Sequence, residues 1–355
     1  MSQIWIRIQS RIQRASHVSV LFALLAAALA GCAPSLVASV STPAPRTPSP
    51  HAIQGSIAEF PLRQSDSRPA GITVGPDGAL WFAEADGEKI GRITTDGTIT
   101  EFALPYTSVG PESITAGPDG ALWCIDGDGT LLRMTTSGAI TEFPVPANSF
   151  PTVITTGPDG ALWFTDVGTN KIGRITTTGA ITEFRLPQTN SAPSGITAGP
   201  DGALWFAERG NVDDVGGNKI GRITTAGVVT EFPLPQAYSF PQLIVNGPDG
   251  ALWFTEEYGN KIGRITTAGA IAEYSVPTGS SGSRLSSHPV SITVGPDGAL
   301  WFTELADDKI GRITTDGSIT EFPLPAKSGP FGITTGPDGA LWFTEFGDGK
   351  IGRLS

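Results

Sequence analysis

Apolar and polar positions alternate in short runs across residues 56–355, and no stretch there carries the three-to-four-residue period of an amphipathic helix. Around Pro193 the runs are Gly195-Ile196-Thr197, Ala203-Leu204-Trp205-Phe206, Lys219-Ile220-Gly221-Arg222-Ile223 and Val229-Thr230-Glu231-Phe232. Gly199-Pro200-Asp201-Gly202 separates the first two: Pro presets the first turn position, Asp tolerates the second, and Gly takes a positive φ. A Thr-Ala-Gly turn separates the last two. The unit predicts four short antiparallel strands rich in β-branched and aromatic residues, the pattern of a propeller blade.

The unit recurs. Gly-Pro-Asp-Gly-Ala-Leu-Trp starts at Gly75, Gly117, Gly157, Gly199, Gly247, Gly295 and Gly336, a spacing of 40 to 48 residues. Such a period denotes one repeat array rather than several independent domains. The last repeat stops after its third strand, at Lys350–Ser355, whereas Ile57-Ala58-Glu59-Phe60-Pro61-Leu62 near the other end copies Ile319-Thr320-Glu321-Phe322-Pro323-Leu324. The sequence therefore predicts an all-β, seven-bladed propeller of four-stranded antiparallel blades over residues 56–355, its N-terminal strand completing the C-terminal blade and leaving no open edge. Trp81, Trp123, Trp163, Trp205, Trp253, Trp301 and Trp342 read as packing between blades.

Outside the array, Arg7, Arg11 and Arg14 precede the apolar run Val18–Ala30, which is short for a membrane span, so residues 1–31 read as an export signal. Leu29-Ala30-Gly31-Cys32 resembles a bacterial lipobox, which makes Cys32 the expected lipidation site, with an ordinary cleaved signal as the alternative. Ala33 after it favours the outer membrane. Residues 32–55, rich in Pro, Ser and Thr, read as a tether. Cys124, where six repeats have Phe, reads as a small buried hydrophobe. A net charge of −11 without a basic cluster argues against nucleic acid or anionic lipid as partner. Contact with a membrane is expected through the lipid alone, and the propeller is expected to be monomeric with a small molecule or an envelope component as partner.

Alternating strand direction puts the Gly-Pro-Asp-Gly and Thr-x-Gly turns on one uniform face. All length variation falls on the other, including the insertion at residues 209–217 and the extension at 279–287. Binding is expected on that variable face. The residue after the Pro that opens each innermost strand differs in every blade: Ala70, Glu112, Thr152, Ser194, Gln242, Val290 and Phe331. Glu112, Gln242 and Phe331 are the ligand-binding candidates, with Tyr106, Arg209, Tyr238, Tyr258 and His288 from nearby loops. Three residues after each Trp stands an acid, Glu84, Asp126, Asp166, Glu208, Glu256, Glu304 or Glu345. These acids are expected to ring the channel mouth, either paired with the Lys and Arg of the next strand or holding a hard cation.

The strings Leu-Trp-Phe-Thr-Glu, Asn-Lys-Ile-Gly-Arg-Ile-Thr and Ile-Thr-Glu-Phe-Pro-Leu-Pro resemble the streptogramin B lyases, the virginiamycin B lyase family, over all seven blades. That resemblance implies a seven-bladed propeller that linearises a cyclic depsipeptide by elimination at its ester, with Mg²⁺ polarising the substrate and a His moving the proton. It also implies Pro-His at the opening of blades six and seven, the latter preceded by Glu. Here those positions hold Val290, Phe331 and Gly329, while Glu345 is the nearest match to a further family acid. His288, the one imidazole of residues 56–355, stands two residues from a family position. The expectation is a tethered ligand- or partner-binding module without the family histidines. Two alternatives stay open: a Mg²⁺-dependent lyase, or a hydrolase of a related cyclic ester, using Glu112, Glu345 and His288, with Glu304 and Glu345 as metal candidates, and a structural role in envelope assembly.

Overall fold

Each repeat folds as its alternation dictates. In blade four the strands Pro193–Ala198, Leu204–Glu208, Lys219–Ile223 and Val229–Pro233 pair antiparallel in chain order. The computed structural model describes residues 55–105, 110–210, 217–277 and 287–355, and these form seven such four-stranded sheets. The expected signal, tether and Cys32 lie outside the described residues, as do Tyr106 and most of both long loop insertions.

The seventh sheet is the split one. Ile57–Pro61 pairs with Lys350–Leu354, from Ile57 opposite Leu354 to Pro61 opposite Lys350. The Ser56 and Ser355 backbones extend the latch by two reciprocal hydrogen bonds of 3.1 and 3.0 Å. Without that strand, Lys350–Leu354 would present a row of unpaired backbone groups.

Packing follows the two-residue period of the second strand. Trp205 and Ala207 join Ile244, Leu252 and Phe254 of blade five, whereas Leu204 and Phe206 join Trp163 of blade three. Every such Trp is fully buried and lies against the outer-strand aromatic of its own blade, as Trp205 does on Phe232 at 5.5 Å. Burial of each Trp removes on the order of 150–250 Å² from water, which makes these seams the main apolar core.

Opposite the Phe stands a third-strand glycine, because a Cβ on Gly221 would lie 2.1 Å from the Phe206 ring. Blade two swaps both partners: Cys124 stands opposite Leu132, and both are buried. The Cys124 thiol is pushed up to about 12 by burial and by the nearby Asp126, so it serves as packing.

Candidate mouth on the variable face

The mouth is built by a clamp repeated from blade to blade. The residue before the opening proline takes a left-handed backbone, with φ of 46° at Ala192, 53° at Phe240 and 51° at His288, a region non-glycine residues seldom occupy. Its carbonyl then accepts the amide of the residue after the second strand. Arg209 N–H donates to Ala192 O at 3.2 Å, Glu257 to Phe240 at 3.1 Å and Leu305 to His288 at 3.2 Å. The clamp brings residues from separate blades to one rim, and in six blades a bulge then carries the residue after the Pro, as at Pro241/Ile244.

On blades four to six this rim holds a polar network. The Glu257 carboxylate accepts Arg209 Nη2–H at 3.0 Å through Oε2 and Gln242 Nε2–H on the same oxygen, and its Oε1 lies 3.4 Å from His288 Nδ1. Ser194 Oγ in turn donates to Gln242 O and Oε1, both at 3.1 Å. The Arg209 guanidinium sits 5.3 Å from the Phe240 ring and 6.0 Å from that of Tyr258, whose edge meets His288 at 5.5 Å. Arg209, Gln242, Glu257 and His288 are all at most 7% exposed. Burial works against the Glu257 charge, yet the His288 contact, the Arg209 charge and the Gln242 hydrogen bond together hold its carboxyl below the usual range. Burial pushes Arg209 down to about 10, which still leaves it charged at neutral pH.

Blades six and seven add apolar groups next to it. Val290 is 4% exposed, and the Phe331 ring packs at 5.7 Å on Phe346, over which the Arg68 guanidinium lies at 5.5 Å. Arg68 is itself bound to Asp86 at 2.9 Å.

Of the expected ligand residues, Arg209, Gln242, Tyr258 and His288 thus meet in one network. Phe331 faces a different neighbour, Tyr238 is an exposed aromatic, and Glu112 is half-buried at the start of blade two, outside the network. Glu257 escaped the sequence reading. Its position reads Ala85, Gly127, Val167, Arg209, Glu257, Leu305 and Phe346 through the blades, so two opposite charges on adjacent blades were the available signal.

The expected ring of ion-paired or cation-holding acids is not what the structure builds. Six of the acids share the strand face of the Phe two residues before them and Asp126 that of Cys124, and Glu345 turns toward Gly352 of the adjacent third strand. The lysines go to outer-strand glutamates instead, as Lys219 does to Glu231 at 2.8 Å, because register places the long Lys side chain beside that strand. The arginines cross to the uniform face: Asp201 accepts Arg222 Nε–H at 2.6 Å and Trp205 Nε1–H at 3.0 Å. Asp126 caps its own turn, accepting the amides of Asp128 and Thr130.

Mg²⁺ therefore has no fitting cradle at Glu304 and Glu345. The two residues belong to different blades, Gly329 and Phe331 offer no side-chain donor, and among the described residues no three His, Cys, Asp or Glu side chains converge around a cation.

Comparison with known proteins fits this architecture. The virginiamycin B lyase family matches residues 50–148 and 110–355. A streptogramin B lyase structure is 40% identical with a TM-score of 0.77, covering 84% of this chain and 97% of its own. The virginiamycin B lyase of Staphylococcus aureus is 42% identical with the same TM-score, over 84% of this chain and 99% of its own. A catalytically inactive histidine-to-alanine variant of the Staphylococcus aureus lyase, solved with quinupristin, matches equally. Among curated protein sequences nothing matches significantly.

Proposed function

We propose that this chain, which belongs to the virginiamycin B lyase family, is an envelope-tethered ligand-binding propeller that keeps the family scaffold and lacks its ring-opening chemistry. The observation that carries the reading is the apolar wall at Val290, Phe331 and Gly329. An elimination needs a base beside the acidic C–H and a positive group where charge develops, and this wall supplies neither. The related staphylococcal lyase is inactivated by a single histidine-to-alanine change, so replacement of an imidazole by a hydrocarbon is not a neutral event in this family.

The mouth retains what binding requires. A polar cluster at Arg209, Gln242 and Glu257 on blades four and five and an apolar pair at Phe331 and Phe346 on blade seven would give a ligand of mixed character both hydrogen bonds and ring contacts. The export signal and Cys32 would place this mouth outside the cell membrane on a short tether.

A second reading draws on the Glu257–His288 contact. A carboxylate on Nδ1 orients an imidazole and leaves Nε2 as a base, which would suit a lyase with a relocated proton acceptor. The apolar wall and the missing cation cradle favour the binding reading.

Incubation of the purified protein with a streptogramin B and Mg²⁺, followed by chromatography, is expected to return intact ring. Linear product that disappears with a chelator would refute the proposal, and linear product lost in His288→Ala but indifferent to chelation would establish the second reading.

A further inference from the structure

Beneath the polar network, one residue back in the chain from Arg209 and Glu257, lie Glu208 and Glu256. Both are fully buried, and neither carboxyl oxygen of either has a hydrogen-bond donor among the described residues. An ionised carboxylate in that state would forfeit its hydration without replacement.

The neighbours explain why no donor arrives. Lys219 and Lys261, opposite the two acids in register, are committed to Glu231 at 2.8 Å and Glu273 at 2.5 Å. Ser191 lies against Glu208 and Ser239 against Glu256, where a hydroxyl turned to the acid would favour its anion, but the hydroxyl contacts of good geometry run to backbone carbonyls, Gln188 O at 3.3 Å and Gln236 O at 3.1 Å. What those serines still offer is lone pairs, and only a protonated carboxyl can donate to a lone pair. Blade three shows the contrast: Asp166, at the same position, is met by the Phe150 amide at 2.8 Å, the Thr169 amide at 3.2 Å and the Thr169 hydroxyl at 2.6 Å. That acid has the donors that an anion needs.

We propose that Glu208 and Glu256 are held as neutral acids in the folded chain, each giving its proton toward Ser191 or Ser239, and form a proton-sensitive brace under the mouth.

The charged groups facing them agree. Burial, the largest influence on each, lifts both to about 7 with help from the Glu231 and Glu273 charges, and outweighs the lowering pull of Ser191 and Lys219 on Glu208 and of Ser239 and Lys261 on Glu256. The brace bears on the mouth through the clamp itself, because Ser191 and Ser239 precede the left-handed Ala192 and Phe240, and Ser191 O and Ser239 O accept the amides of Gly210 and Gly259.

The sign follows from linkage. A carboxyl with its folded value above its unfolded one stabilises the fold fully below the unfolded value, and that contribution is lost as pH rises from about 4.5 to about 7. The test uses the full chain labelled with ¹³C at the glutamate carboxyls, titrated by NMR from pH 4 to 9. Midpoints near 7 for Glu208 and Glu256 are expected, and midpoints near 4.5 for both would overturn the proposal. Melting temperature across the same range should fall in the wild type and fall less in Glu208→Gln/Glu256→Gln. A double variant that folds and keeps the full wild-type slope would also overturn it, and should it fail to fold, the wild-type midpoints decide alone.

Discussion

Cys124 and Leu132 are a compensated exchange. Six blades pair a Phe with a glycine across the second and third strands, and blade two divides the same volume between a small and a large side chain. Cys124→Phe alone should overfill the site and cost about 1–3 kcal/mol, and Leu132→Gly added to it should recover most of the loss, as measured by urea denaturation. The Cys was visible in the sequence as a departure from the repeat, but its partner lies eight residues on and becomes evident only through register. Arg209 and Glu257 obey a similar logic with charge. Glu257→Leu removes the carboxylate paired with the buried Arg209 guanidinium and should cost about 3–5 kcal/mol, whereas Arg209→Met with Glu257→Leu should be far less damaging. A double-mutant cycle in denaturant reads both. Of the site, Arg209, Gln242, Tyr258 and His288 were legible as variable residues on the variable face. Glu257 was hidden behind the repeated acid beside it, and the orientation of those acids was hidden because a strand's period assigns a face but not the partner a long side chain selects.

At the scale of the element, the Gly-Pro-Asp-Gly hairpin is locked by its Asp. Asp201 receives Trp205, Arg222 and the Ala203 amide at 3.0, 2.6 and 3.3 Å, and the other six turns repeat the Trp and Arg contacts. Asp201→Ala should therefore lose about 1–3 kcal/mol by leaving the buried indole N–H without an acceptor. Burial opposes the charge of Asp77, Asp119, Asp159, Asp201, Asp249, Asp297 and Asp338, but the Trp and Arg hydrogen bonds prevail and hold all seven below the ordinary value of 3.8. The stability they contribute is present above that value and is lost as pH falls through their lower folded values. Acid unfolding followed by circular dichroism should accordingly steepen below about pH 4, and Asp201→Asn should weaken that limb. The turn was legible in the sequence as backbone chemistry. Its second role, joining Trp to Arg, required the third strand to be in place.

Across the whole molecule, fold and function separate. The ring of seven blades and its closure follow from a repeat long enough to count and from two chain ends that complete one sheet. Activity depends instead on single positions that a repeat does not constrain, which is why a chain 42% identical to a lyase over 84% of its length can keep the scaffold with Val290 and Phe331 at positions where the resemblance implies histidine. On the proposed reading this mouth binds a ligand and does not open rings. Its most direct test is a streptogramin B with Mg²⁺ held against the wild-type protein and, side by side, the Staphylococcus aureus lyase, with linear product measured over time by chromatography. Product is expected from the lyase and none above the protein-free control from this chain, and Mg²⁺-dependent linear product from this chain would overturn the binding reading.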